Sequence, residues 1–231
     1  VHLRTLTLTA LSAAAVLAAG SLPTTASGTP RPTSAQEGAV DAAGLLAKVS
    51  SCAQISHGKY RTDANTRAEI PVCGLKGAVF WKADMDIDCD GRRTAKCNER
   101  TDPWFHPDTA FHQSDGRPLR SDTLPYVVVP GASALWKPAA SGIRGGGVVA
   151  VIHDGKVRYA VVGDTGPSQI IGEASYAAAK SLGIDPDPAR GGTAAEVTYI
   201  LFKDSRVSPI ESHRQAVALG KRLTKRFLLE N

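Results

Sequence analysis

The sequence predicts a mostly β protein, a barrel or sandwich flanked by two or three peripheral helices. Three observations carry this. The run GGGVVAVIHDGKVRYAVVGD (145–164) sets two β-rich stretches around Asp154-Gly155, a dipeptide suited to a tight hairpin turn. GAVFWKADMDID and LPYVVVP (124–130) read as further strands, the second bounded by prolines. Strands and helices do not alternate along the chain as a doubly wound sheet requires.

The remaining elements follow in order. VDAAGLLAKVSSC (40–52) places Ala42, Leu45, Leu46 and Val49 at helical spacing, so an amphipathic helix leads into the domain. GEASYAAAKSLGI (172–184) has helical composition and stops at Gly183, a C′ glycine. AAEVTYILFKDS (194–205) returns to strand. The final helix is expected to start with Ser208, Pro209 and Glu211 as N-cap, N1 and N3 of a capping box, and to bury Ala216, Leu219, Leu223 and Phe227.

Residues 1–27 have the order of a secretory signal peptide: Arg4, an apolar core over Leu6–Ala19, then small residues. The core is too short and too rich in Thr for a membrane span of about 20 residues. Residues 28–38, rich in Pro, Ser, Thr and Gly, are expected to be a disordered linker, and 39–231 a single catalytic domain. The protein is expected to be secreted and extracellular. Its net charge of +5 is mild, and Lys and Arg gather in GKRLTKRF, the polar face of a helix. Aromatic residues do not interleave with these charges, so nucleic acid is not an expected partner, and neither is a membrane. The chain is expected to act as a monomer.

Four cysteines, Cys52, Cys73, Cys89 and Cys97, allow three pairings in an exported chain. Sequential pairing closes two short loops and is preferred. The close paired spacing of a zinc site is absent, as are a G-x-S-x-G elbow and the Lys-Ser/Thr of a phosphate loop after GIRGGG.

ADMDIDCDG (83–91) raises a question, because Asp84, Asp86, Asp88 and Asp90 repel one another. An EF-hand loop accounts for the opening of the motif but not for Arg93 and Cys97 at its eighth and twelfth positions. A less regular calcium site and an exposed acidic turn are the other structural readings. The period of two favours a third: Asp84, Asp86 and Asp88 on one face of a strand, with Met85, Ile87 and Cys89 turned into the core. Like charges about 7 Å apart raise one another's pKa, so such a face suits a cationic ligand.

A second acidic pair stands in YAVVGDTGPSQIIGEAS, with Asp164 at the end of a strand and Glu173 expected at the start of a helix. The glycine- and proline-bearing turn can bring both to one groove, the arrangement glycoside hydrolysis needs. Read together, FWKADMDIDCDG and VVGDTGPSQIIGEAS resemble the signature pair of the chitosanases of glycoside hydrolase family 75, and DPWFHPDTAF (102–111) is similar to a further segment of that family. The resemblance spans roughly 45–203 and leaves the basic C-terminal helix without a counterpart. The connection between the two motif acids is shorter here than in fungal members.

The resemblance implies an endo-acting, inverting hydrolase of chitosan that uses no metal or organic cofactor, with Asp164 and Glu173 as its catalytic pair. The GD turn is also similar to the "GD box" of double-psi β-barrels, which suggests that architecture by analogy. The apolar surroundings of Glu173 favour it as the general acid, leaving Asp164 as the base. Asp84, Asp86 and Asp88 are then expected to bind the substrate's ammonium groups. Competing readings are a non-catalytic carbohydrate- or polycation-binding module and a calcium-stabilised extracellular β protein. Tyr60, Trp81, Trp104 and Trp136 are candidates either for sugar stacking or for the core.

Overall fold

The computed structural model describes residues 42–231, so the expected signal peptide and linker lie outside the described residues. Seven strands share one sheet: β1 (Cys73–Leu75), β2 (Ala78–Asp88), β3 (Tyr126–Pro130), β4 (Val148–His153), β5 (Lys156–Gly166), β6 (Glu173–Ser175) and β7 (Thr193–Phe202). Three helices surround them, α1 (Ala42–Lys48), α2 (Tyr176–Leu182) and α3 (His213–Glu230). The strand order β1-β2-β6-β3-β5-β4-β7 closes on itself because β2 also pairs with β7. Strands β2 to β7 therefore form a six-stranded barrel, with β1 added outside on β2. The predicted class, mostly β with peripheral helices, is the one observed.

Alternation along the strands sorts the core into two clusters. Trp81, Met85, Val127, Val151, Val162 and Tyr199 fill the barrel interior, where Trp81 stacks on Tyr199 with ring centroids 5.6 Å apart. Phe80, Tyr126, Val161, Ile200 and Phe202 face outward and are covered by Leu45 of α1 and by Ala216 and Phe227 of α3. The Asp154-Gly155 turn joins β4 to β5 as expected, with both residues at positive φ (46° and 68°).

α3 departs from its expected start. Its N-cap is Ser212, and no side-chain cap bond is made there. Residues 208–211 form a turn instead of the first helical turn, and the Glu211 carboxylate accepts hydrogen bonds from the backbone N–H and the hydroxyl of Ser114. That long-range partner takes the carboxylate that a capping box would have used. The expected apolar face is present, with Ala216 and Phe227 buried and Leu219 and Leu223 packed partly buried against the outer cluster. Gly220, between them, lies under the ring of Tyr159, whose hydroxyl meets Thr224 Oγ1 at 3.0 Å. Cys52–Cys73 and Cys89–Cys97 are bonded, the sequential pairing.

One irregularity positions the site. β3 and β5 run parallel with Tyr126 opposite Val161 and Val127 opposite Val162, but Val128 is opposite Asp164. Gly163 is the extra residue, a bulge that turns Asp164 from the interior face to the outward face it shares with Val128. A Cβ on Gly163 would meet Tyr126 Cβ at 2.5 Å and Leu119 Cδ1 at 2.9 Å. Gly163→Ala is therefore expected to destabilise the barrel by about 1–3 kcal/mol through overpacking. Thermal unfolding of the variant beside the parent checks this, and an unchanged melting temperature would contradict the bulge packing.

Candidate active site

The acidic strand keeps the predicted period of two. Met85 and Cys89 are fully buried and Ile87 packs against the interior cluster, while Asp84, Asp86 and Asp88 occupy the opposite face. β6 lies parallel to β2, with Asp86 opposite Glu173 and Asp88 opposite Ser175. Glu173 thus belongs to a short strand and not to the start of a helix. Its neighbours β2 and β3 both pair with β6, and this ladder outweighs the helical composition of GEASYAAA. The helix begins one step later: Ser175 Oγ caps it by accepting from Ala178 N at 3.2 Å, and Gly183 ends it at φ 85°.

β5 brings the second motif alongside. Asp164 is only 7% exposed, and its Oδ1 accepts from the backbone N–H groups of Ala110 and Thr165, both at 2.7 Å. Two residues on, Gly166 leaves room for the Glu173 carboxyl, because a Cβ there would meet Glu173 Oε2 at 2.7 Å. The two motifs therefore open into one cleft of about 500 Å³, lined also by Asp63, Asp86, Asp88, Asp90, Asp102, Trp104 and the 188–191 loop.

The carboxyls fall into two groups. Oxygens of Asp88, Asp90 and Asp164 lie within 4.8 Å of one another, and so do those of Asp63, Asp84 and Asp86. Each member of the first group spends one oxygen on a backbone amide: Asp88 accepts from Asp90 N (2.7 Å), Asp90 from His106 N (2.7 Å) and Asp164 from Ala110 and Thr165. The remaining oxygens are hard donors suited to an ammonium group or a hard cation. Asp84 does not line this cleft with Asp86 and Asp88; it lines a neighbouring depression with Asp63, Lys82 and Glu196, where Lys82 is paired with Glu196 at 3.3 Å. Arg190, on the cleft wall, bonds to Asp187 at 3.3 Å.

Burial and mutual repulsion hold these acids toward their neutral forms. Glu173 is pushed up to about 7, first by burial and then by the charges of Asp86, Asp90, Asp164 and Asp84. Among the described residues no hydrogen bond to its carboxylate opposes this. Asp164 is also raised by burial, but its two amide bonds pull the other way. Asp88 is raised well above the usual range by burial and by Asp90 and Asp164. Burial raises Asp90 to about 6 against the pull of the His106 amide, and Asp84 rises to about 7 by burial and by Asp86 and Asp63.

Sequence reasoning missed Asp63, Asp102 and the Ala110 amide, which reach the site from loops, and it did not pair Asp90 with Asp164. DPWFHPDTAF held the available signal, since it supplies both Asp102 and Ala110. Of the four aromatic candidates, Tyr60, Trp81 and Trp136 are core residues and Trp104 is exposed.

The chain matches the family described as "Fungal chitosanase of glycosyl hydrolase group 75" over residues 85–227, which takes in most of α3. The basic helix therefore does have a counterpart in the family, against the sequence-based expectation. Endo-chitosanase C of Aspergillus oryzae is 32% identical over 173 residues, covering 73% of this chain and 43% of that protein. An endo-chitosanase of Aspergillus fumigatus is 32% identical over 138 residues, covering 54% and 58%. Endo-chitosanase B of Aspergillus oryzae (strain ATCC 42149 / RIB 40) is 31% identical over 157 residues, covering 61% and 65%. The chain thus spans about half the length of the curated relatives it matches.

The raised carboxyls give a signed pH dependence. Folding moves Glu173 from 4.5 to about 7 and Asp84 from 3.8 to about 7, so their contribution is complete below the unfolded values and is lost as pH rises to the folded ones. Asp108 and Asp187, lowered by their hydrogen bonds, act oppositely but only below the ordinary carboxylate range. The melting temperature is therefore expected to fall between about pH 5 and about pH 8, and Glu173→Gln to lessen that fall. Calorimetry of both proteins across this range is the check.

Proposed function

The chain belongs to glycoside hydrolase family 75, and on that premise we propose that it is a secreted endo-chitosanase hydrolysing β-1,4 bonds of chitosan with inversion. The observation that carries the reading is the unequal treatment of two acids in one cleft: Asp164 is held by two amides, while the part-buried Glu173 carboxyl has no hydrogen bond among the described residues. Glu173 is the general acid. Pushed up to about 7, it keeps its proton at mildly acidic pH and passes it to the glycosidic oxygen as the bond to the anomeric carbon breaks. Asp164 is the base, taking a proton from the water that attacks the same carbon from the opposite face. The products are two shorter chains, one with an inverted hemiacetal, and the pair ends with Asp164 protonated and Glu173 ionised, to be reset through solvent.

Chitosan also accounts for the crowded carboxylates. An ammonium group placed near Asp86 or Asp88 relieves their repulsion, which a neutral acetamido sugar does not. Surface charges beyond a Debye length of about 8 Å are screened, so a net basic protein can still bind a polycation in an acidic cleft. Two disulfides suit an oxidising, extracellular setting.

Asp164→Asn and Glu173→Gln are each expected to lower kcat by about 10²–10⁴-fold in a reducing-end assay on chitosan. If the parent releases no ends, or both variants stay fully active, the reading fails and a binding module takes its place. Anomer-resolved NMR of the first products should show inversion; retention would place the carboxyls in the roughly 5 Å geometry of retaining enzymes. Asp86→Asn is expected to slow cleavage of deacetylated chitosan more than of acetylated substrate. Equal losses on both would make Asp86 structural.

A further inference from the structure

Trp104 has a position that the acid pair does not explain. Trp81 and Trp136, the other two tryptophans, are 0% and 5% exposed, whereas Trp104 is 90% exposed and stands on the wall of the catalytic cleft. An indole left in water forgoes the burial that normally places it in a core. Its backbone, by contrast, is fixed. Trp104 N–H donates to Oδ1 of Asp102 at 2.8 Å, and Asp102 is itself only 6% exposed. Two residues on, His106 N–H donates to Asp90, and Ala110 N–H donates to Asp164. The segment is thus bonded directly to the carboxyls of the site, which anchors the backbone from which the indole projects.

Proximities also order the cleft. Asp102 acts on Asp90, and Asp90 lies beside Asp88 and Asp164. Glu173 is opposite Asp86, which lies beside Asp84 and Asp63. Trp104 therefore stands at the Asp164 end and the Asp63–Asp84 group at the other, with the acid pair between them.

We propose that Trp104 is a substrate-binding residue whose indole stacks on the apolar face of a glucosamine ring at the Asp164 end of the cleft. The inference rests on the chitosan reading above. Pyranose rings present axial C–H groups to an aromatic face, and a ring bearing an ammonium group adds attraction to the indole quadrupole. With its backbone anchored, the indole has only two side-chain torsions to settle when the sugar arrives, so stacking costs little freedom. The two ends of the cleft then recognise different features of one polymer, ring faces at Trp104 and charge at Asp63 and Asp86.

The test combines kinetics with emission. Trp104→Ala is expected to raise KM for a glucosamine hexamer about tenfold, with kcat within about twofold and an unchanged melting temperature. In the inactive Glu173→Gln protein, the hexamer should shift tryptophan emission to shorter wavelength, and adding Trp104→Phe should abolish the shift. An unchanged KM, an emission shift that survives Trp104→Phe, or a loss of kcat that tracks a lower melting temperature would overturn the proposal. If the parent cleaves chitosan and Trp104→Ala behaves like it, only the stacking role falls. A parent that releases no ends from chitosan overturns the functional reading itself, whatever the emission does.

Discussion

A cleft that gathers Asp86, Asp88, Asp90, Asp164 and Glu173 works against its own stability, and much of the surrounding structure answers that repulsion. Two means are visible. Backbone amides of residues 90, 106, 110 and 165 each give a hydrogen bond to a carboxyl oxygen, which favours the charged form of three of the acids. Burial favours the neutral form of Glu173, whose carboxyl has no such hydrogen bond among the described residues to oppose it. The outcome is a division of labour by environment, with no difference in residue chemistry needed beyond Asp and Glu.

The barrel sets the positions at which this happens. Its interior is apolar and closely packed around Trp81 and Tyr199, so the outward faces of β2, β5 and β6 cannot shift independently. Parallel pairing of β2 with β6 and of β3 with β5 brings acids from three separate strands to one surface. The Cys89–Cys97 bond fixes the end of β2 where the acidic strand turns into the loop carrying Trp104. Rigid strands thus hold the acids, and loops bring the groups that complete the cleft.

Much of this was legible in the sequence because it depends on short-range pattern. The alternation in ADMDID already separates Met85 and Ile87 from the acids, and Asp154-Gly155 marks its turn by the backbone it needs. Long-range pairing was not legible. Glu173 reads as helical from its neighbours, yet two strands distant in sequence make it β. Glu211 reads as a capping residue, yet Ser114 takes its carboxylate. Gly163 looks like an ordinary strand glycine until the partner register shows that it is the extra residue. The Ala110 amide carries no signal at all, since every residue but proline has one.

The register of β6 has a consequence for how the protein comes into being. Glu173 is held beside Asp86 by pairing across most of the barrel's sequence, and the barrel closes only when β7 joins β2 and β4. Contacts of such high order form late, after the entropy of large loops has been surrendered. A chain that ends before Thr193 therefore carries its acidic strand without β7, the neighbour that closes the barrel. The cleft's acids on β2, β5 and β6 thus depend for their places on a strand that contributes none of them.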